Sequence, residues 1–330
     1  MKFLKFVLII LLIIILVVYI FLWVSSYKKY PVDFGVSFSK EHAIYLGLDW
    51  KKTYESILTD LKPKFIRLSA PWGDIEKIKD TFDFTDIDYM MNEAKKAGVK
   101  VTLVIGQKAP RWPECYVPDW ASKLSSKEYE ENLNSYLTQI VNRYKTNSAL
   151  ELWQVENEPF INFKFGECAN FRPDLVDEEK KLVNYLDQPH WTIVTDSGEL
   201  GLWKKASQLG DLFGTTLYRI VRSPNGMIWT YDWLPPAFYR YKAIVNGIHL
   251  ESMFISELQA EPWFTGPGPN ETPIAEQMKT MNSKRMNKNI NFVKKIGVSR
   301  AYLWGAEWWY WMKEKNNDSS FWDIAKNIMK

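Results

Sequence analysis

Eight short runs of β-branched and other apolar residues recur along the chain, each followed by a longer stretch with apolar residues at helical spacing. The runs are Asp33–Phe38, Lys64–Ser69, Lys100–Ile105, Leu150–Val155, Trp191–Thr195, Leu212–Leu217, Met253–Ser256 and Arg300–Trp304. Helical stretches are predicted near Trp50–Leu61, Asp86–Ala97, Ser126–Tyr144, Leu175–Leu186, Leu200–Gln208, Pro236–Val245, Ile274–Lys295 and Phe321–Lys330. This alternation predicts βα units around a parallel sheet. Ala97-Gly98 and Ile296-Gly297 support it, because a glycine that ends a helix leads directly into the next run. Eight such pairs close a barrel, and a (β/α)8 (TIM) barrel takes about 250 residues. The chain has 330 residues, and no linker or low-complexity break divides 27–330, so that region reads as one α/β domain.

The first 26 residues read as a separate unit. Phe6 through Val24 is uninterrupted apolar, with Lys2 and Lys5 before it and Lys28 and Lys29 after it. As a helix it spans roughly 28 Å, close to the hydrocarbon thickness of a bilayer. Cleavable signal sequences have apolar regions of about 7–15 residues, so an uncleaved signal anchor through residues 6–24 is expected. The preferred topology leaves the short N-terminus inside and the domain outside the cytoplasm. About eight residues separate Val24 from Asp33 and reach less than about 30 Å. On that basis the loops at the C-terminal ends of the strands should face away from the membrane.

Composition removes several function classes. A net charge of +3 with both signs intermixed gives no electrostatic case for nucleic acid. Cys115 and Cys168 lack metal-ligand spacing, and the three histidines form no H-E-x-x-H pattern. No Walker loop, G-x-G-x-x-G or G-x-S-x-G occurs, so no metal or cofactor is expected. The two cysteines fall in the loops after the third and fourth strands, where a disulfide is compatible with a domain outside the cytoplasm. Sixteen Trp residues are many for packing alone, and either a Trp-rich core or a sugar-binding groove lined by indoles would account for them.

The chemistry is carried by two strand ends. Leu150–Val155 runs into Glu156-Asn157-Glu158-Pro159, and proline stops the strand near Glu158. Met253-Phe-Ile-Ser-Glu257 is a second apolar strand that ends in a carboxylate. A carboxylate at a buried strand end is costly unless paired or used. Two of them are what glycoside hydrolysis by acid and nucleophile requires. The long loops Gln107–Lys123, Phe160–Asp174 and Glu261–Pro273 follow strands, where barrel active sites are built. Tyr218–Trp233 reads as a hairpin after the sixth strand, around Asn225-Gly226.

Asn157-Glu158-Pro159 on strand four with Glu257 on strand seven resembles the clan of retaining (β/α)8-barrel glycosidases that includes the family 5 cellulases and mannanases and the family 39 enzymes. The resemblance implies Glu158 as acid/base, Glu257 as nucleophile, and Asn157 as a hydrogen-bonding partner of the sugar 2-hydroxyl. It further implies Arg67 and Tyr218 as supports of the nucleophile and Trp304 as the floor under the sugar. Trp72 after strand two is a further candidate wall. Two family 5 histidines are replaced, in Ile105-Gly-Gln107 and in Thr216-Leu-Tyr218. Glu261 reads as an outer-rim residue and the lone Glu307 as structural. The function implied is hydrolysis of a β-linked poly- or oligosaccharide. A catalytically silent barrel that binds surface glycan is the alternative, and carboxyl groups about 6.5–9.5 Å apart would instead mean inversion.

Overall fold

The computed structural model describes residues 2–161, 166–223, 225–264, 266 and 268–330. Residues 162–165 of the loop after strand four, 224 of the hairpin, and 265 and 267 of the loop after strand seven lie outside the described residues.

Eight parallel strands close a barrel: β1 (Asp33–Ser37), β2 (Phe65–Ser69), β3 (Lys100–Ile105), β4 (Leu150–Val155), β5 (Trp191–Asp196), β6 (Leu212–Leu217), β9 (Met253–Gln259) and β10 (Arg300–Trp304). An antiparallel pair, β7 (Ile220–Arg222) and β8 (Ile228–Thr230), forms the hairpin expected after β6. The barrel interior is layered by bonds that cross it. At the bottom Arg300 of β10 pairs with Glu151 of β4 at 2.7 Å and lies over the rings of Phe65 and Phe254. One layer up, the Thr102 and Tyr302 hydroxyls meet at 2.6 Å. Arg67 fills the top. Charged groups inside so apolar a cylinder persist only because each has a partner.

Ser126–Tyr144 and Pro236–Val245 match the sequence reading residue for residue, the first started by a reciprocal Ser125–Glu128 capping box. The long stretch from Ile274 breaks into Ile274–Gln277 and Ser283–Val293, with Asn282 capping the second helix. Ala306–Asn316 is a helix that the pattern does not reveal, because residues Ala306 to Met312 are all buried and leave no amphipathic stripe. Trp308 and Trp309 of that helix, with Trp72, Trp153, Trp203 and Trp322, are fully buried. With Trp304 and Trp311, eight of the sixteen tryptophans are buried, so half of them are core.

The N-terminal helix runs Lys2–Ser25, with a hydropathy of 3.5 and no buried residue. Its end is fastened to the helix Pro236–Val245. The Ser26 hydroxyl accepts from the Ala237 N–H at 2.9 Å, Arg240 donates to the Ser25 carbonyl, and Phe21 packs on Tyr241. One turn and a half earlier, the Tyr19 hydroxyl donates to the Trp233 carbonyl at 2.8 Å. Trp233 and Ala237 belong to the segment that follows the hairpin, on the side of the barrel where the strands end. The helix thus meets the barrel on its loop side, and the expected pose, with those loops turned away, does not hold. The reach argument set only an upper limit, and residues 26–32 use that reach to run down the outside of the barrel, where the Tyr30 N–H donates to the Lys294 carbonyl at 2.7 Å.

Cys115 and Cys168 are disulfide-bonded, with Cα atoms 5.0 Å apart, and join the loops after β3 and β4. Replacing both by serine is expected to lower the unfolding free energy by up to about 4 kcal/mol, the closure entropy of a loop spanning 53 residues. Denaturant unfolding of the detergent-solubilised chain checks this; an unchanged midpoint would show that other contacts already hold the two loops together.

Candidate active site

The chain leaves β4 by a sharp turn in which Glu156 and Glu158 take left-handed backbone angles, φ 60° and 44°. Such angles cost a non-glycine residue of order 1–3 kcal/mol and persist where the surroundings enforce them. The turn, rather than strand alternation, which would put residues two apart on one face, sends the two carboxyls to different places. Glu156 is buried behind the sheet end, accepting from the Gln107 and Lys108 N–H groups at 2.7 and 2.5 Å. A side chain at Gly106 would collide with it, which fixes glycine at that position. Glu179 lies near Glu156, and burial, reinforced by the charge of Glu156, drives its carboxyl well above the usual range.

Glu158 instead faces the barrel mouth. Its N–H donates to Thr195 Oγ1 at 2.9 Å, and its Oε1 accepts from Thr216 Oγ1 at 3.0 Å. Thr216 is the register partner of Glu257 on β9, so the two carboxyls converge on one place in the sheet. Glu257 accepts from Arg67 Nη1 at 2.8 Å and from the Tyr218 hydroxyl at 2.5 Å, one bond to each oxygen. Arg67, 1% exposed, also donates to Gln154 Oε1 and to Asn157 Oδ1 at 2.8 and 2.7 Å. With its oxygen committed to Arg67, the Asn157 amide has its NH2 group left to donate to a ligand. Burial first, and the charge of Glu257 second, push the Glu158 carboxyl up to about 8.

Five of the seven expected site residues are therefore together: Glu158, Glu257, Asn157, Arg67 and Tyr218. Trp304 ends β10 beside them, but the Arg111 guanidinium lies 4.0 Å from its ring centroid, where a sugar floor was expected. Trp72 does not reach the mouth. It is completely buried against Trp120, Tyr129 and Tyr136, with its indole N–H on Glu76 at 2.7 Å, and the reading of Trp72 as a sugar-contacting wall is corrected to packing.

Several side chains at the mouth have no sequence signature. Thr216 stands where a family 5 histidine would, and its hydroxyl is bonded to Glu158. Glu261 is not at an outer rim: it is buried and paired through both oxygens with Arg111. Arg111 also reaches Glu307 at 3.2 Å, and Glu307 accepts from the Ser39 N–H. Burial pushes Glu307 up to about 7, opposed by Arg111. Trp263 packs edge-on against Tyr218 at 5.2 Å. A cleft of about 220 Å³ between Arg67, Trp304, Arg111 and Glu307 adjoins a larger one of about 670 Å³. The two share Phe38, Ser39, Ser69 and Pro110, and the larger holds Asp74, which burial raises to about 6. Among the described residues no group of His, Cys, Asp and Glu could hold a metal ion.

Comparison with known proteins follows the same lines. The glycosyl hydrolase family 10 model matches residues 56–173, roughly a third of the chain. That segment contains Arg67, Asn157 and Glu158 and stops before Tyr218 and Glu257. A probable mannan endo-1,4-β-mannosidase A-1 from Aspergillus terreus is 24% identical over 122 residues, which are 34% of this chain and 30% of that one. Among solved structures, a GH5_18 protein from Bifidobacterium longum superposes with a TM-score of 0.58 at 12% identity, covering 83% of this chain and 69% of that one. An endo-β-1,4-xylanase of family 10 from Gloeophyllum trabeum gives 0.53 at 16% identity and 86% coverage of both. An exo-β-1,4-mannosidase from an Opitutaceae bacterium gives 0.53 at 13%, covering 85% of this chain and 53% of that one. In sequence and in fold the chain resembles the (β/α)8-barrel glycoside hydrolases of families 10 and 5.

The electrostatic link between the two carboxyls is open to direct measurement. In the free protein the Glu158 carboxyl is expected to titrate near 8 by carbon-13 NMR. Glu257→Gln removes the neighbouring negative charge, eases ionisation, and is expected to move that titration to lower pH. An unmoved titration would mean that the two groups do not face each other.

Proposed function

We propose that the chain is a retaining glycoside hydrolase acting on a β-linked poly- or oligosaccharide, with Glu158 as acid/base and Glu257 as nucleophile. The observation that carries this is the asymmetry of the pair. Glu158 is held protonated at neutral pH, whereas both oxygens of Glu257 accept bonds, from Arg67 and from Tyr218. Environments that push two carboxyls apart assign the acid and the nucleophile.

In the first step Glu158 gives its proton to the glycosidic oxygen as the bond from that oxygen to the anomeric carbon breaks. A Glu257 oxygen bonds to the same carbon, and the leaving sugar departs as an alcohol. In the second step Glu158, now ionised, takes a proton from water. That water adds to the anomeric carbon, and Glu257 is released as carboxylate. Two inversions give net retention, and no external oxidant, metal or cofactor enters the balance. Asn157 would donate its NH2 to the 2-hydroxyl, a bond that strengthens as positive charge develops at the anomeric carbon. The β-1,4-mannan- and xylan-cleaving relatives make those polymers the first substrates to try.

The N-terminal helix is read as a membrane anchor that holds the barrel outside the cytoplasm, where the Cys115–Cys168 bond is stable. A second reading, a silent barrel that binds surface glycan, has one observation on its side: Arg111 covers the Trp304 ring on which a sugar would stack.

The detergent-solubilised chain incubated with β-1,4-mannan, xylan, glucan and galactan distinguishes the two. New reducing ends are expected from at least one polymer. Glu158→Gln should cut the rate by about 10²–10⁴-fold, the usual worth of a positioned acid, and Glu257→Gln should leave no turnover. Glycan binding that persists with no cleavage by the wild-type chain would establish the silent barrel.

A further inference from the structure

The mouth-side hairpin carries an apolar surface that the catalytic reading does not use. From Asn225 to Tyr231 no residue is charged, and Met227, Ile228 and Trp229 are exposed, Trp229 at 57%. Trp233, 58% exposed, continues the surface. Of the neighbouring carboxylates, Asp232 is neutralised by Arg285 at 2.8 Å and Lys288 at 2.6 Å, and Glu276 is paired with Arg222 of the hairpin at 3.3 Å and with Lys279. Large exposed indoles beside an uncharged strand mark an interaction surface.

The N-terminal helix indicates what covers it. At 1.5 Å per residue, 24 residues give about 36 Å, a few ångströms more than the hydrocarbon core of a bilayer. Tyr19 is six residues from the helix end, roughly 9 Å along the axis. With Tyr19 fastened to the barrel at Trp233, the part of the helix left to cross the acyl chains is Lys2–Tyr19, about 26 Å by the same rise, and Tyr19 stands at its outer end, close to the boundary between acyl chains and headgroups. The Tyr19 hydroxyl is bonded to the Trp233 carbonyl, so Trp233 is held at that same depth. Tyr19 and Trp23 already form an edge-to-face pair on the helix, 6.3 Å between centroids. Tyrosine and tryptophan are the residues that favour this layer, with the ring among lipid and the polar edge among headgroups.

We propose that the hairpin surface Met227–Trp229 together with Trp233 is a second membrane contact, seated in the headgroup layer of the same bilayer that holds the N-terminal helix. It rests on the reading of that helix as an anchor. The contact gives the barrel two attachments in place of one, and so a fixed attitude, with the segment after β6 against the lipid. Tyr218, which contacts the nucleophile, is two residues from β7, so the mouth opens beside the membrane surface. The glycans favoured by this attitude are those carried at that surface, on lipid headgroups or on polymers lying along it.

The test uses the full chain reconstituted in vesicles of equal parts phosphatidylcholine and phosphatidylglycerol. Cys115 and Cys168 are bonded to each other, so Met227→Cys supplies a single thiol for an environment-sensitive fluorophore. Ile10→Cys reports on the helix, and Lys127→Cys, on the helix Ser126–Tyr144, serves as the exposed reference. The label at 227 is expected to shift to shorter wavelength, to be quenched by lipids with a nitroxide near the headgroup, and to be shielded from iodide. Label 127 should show the opposite behaviour, and label 10 should respond to a nitroxide deep in the acyl chains. If label 10 lies deep while label 227 behaves like label 127, the second contact is overturned and the anchor stands. If neither responds to lipid, the anchor reading fails and takes the contact with it. Trp229→Ser with Trp233→Ser, should it leave label 10 deep and expose label 227 to iodide, assigns the contact to the indoles.

Discussion

The site depends on one buried cation. Arg67 stands on β2 inside a cylinder of mostly apolar side chains and spreads its guanidinium over three strands. Removing such a charge from water costs several kcal/mol, and only a full set of acceptors compensates. Gln154, Asn157 and Glu257 supply them, and in doing so each is fixed in place. The planar fork of arginine suits this work in a way that a lysine point charge would not. Glu257 and Asn157, the nucleophile and the sugar-binding amide of the mechanism proposed, are thus oriented by the same side chain, which itself touches no substrate in that mechanism.

Sheet register carries the positioning one step further. Thr216 of β6 sits beside Glu257 of β9, yet its hydroxyl is bonded to Glu158. A slip of one residue in that pairing would turn Thr216 outward and separate Glu158 from Glu257. Behind this layer, burial raises both the Glu156 and the Glu179 carboxyl, which favours less negative charge beneath Glu158 than two freely ionised carboxylates would carry. Glu158 therefore responds mainly to Glu257 and to its own desolvation.

Most of the architecture was legible in the sequence. β-branched runs, glycine helix exits and helical periodicity gave eight strands in the right places and a closed barrel. The pair Glu158 and Glu257 was legible because each ends an apolar strand, and Arg67 because a charge inside such a strand demands a partner. What escaped has physical reasons. The helix Ala306–Asn316 is buried all round over its first two turns, Ala306 to Met312, and shows no period there. Trp72 and Trp304 carry the same indole, and only three-dimensional packing separates a core tryptophan from one at the mouth. Arg111 and Glu261 come from two loops and Glu307 from the start of a helix, all far apart in sequence, so no local spacing foretells their ion-pair cluster. The side of the barrel that receives the N-terminal helix depends on Ser26 and Arg240, two polar residues with nothing local to mark them.

That last attachment bears on whether the barrel can be shed. Proteases cut extended segments that enter their clefts freely, and exposed connectors are their usual targets. Here the connector is short and fastened at both ends: Ser26 is buried and bonded to Ala237, and Tyr30 is bonded to Lys294. Release of a soluble fragment would require this segment to peel away first, breaking the seat of the helix on the barrel. If the helix is the anchor proposed above, its tether is part of the folded body at Ser26 and Tyr30, and only Tyr27–Lys29 between them are exposed.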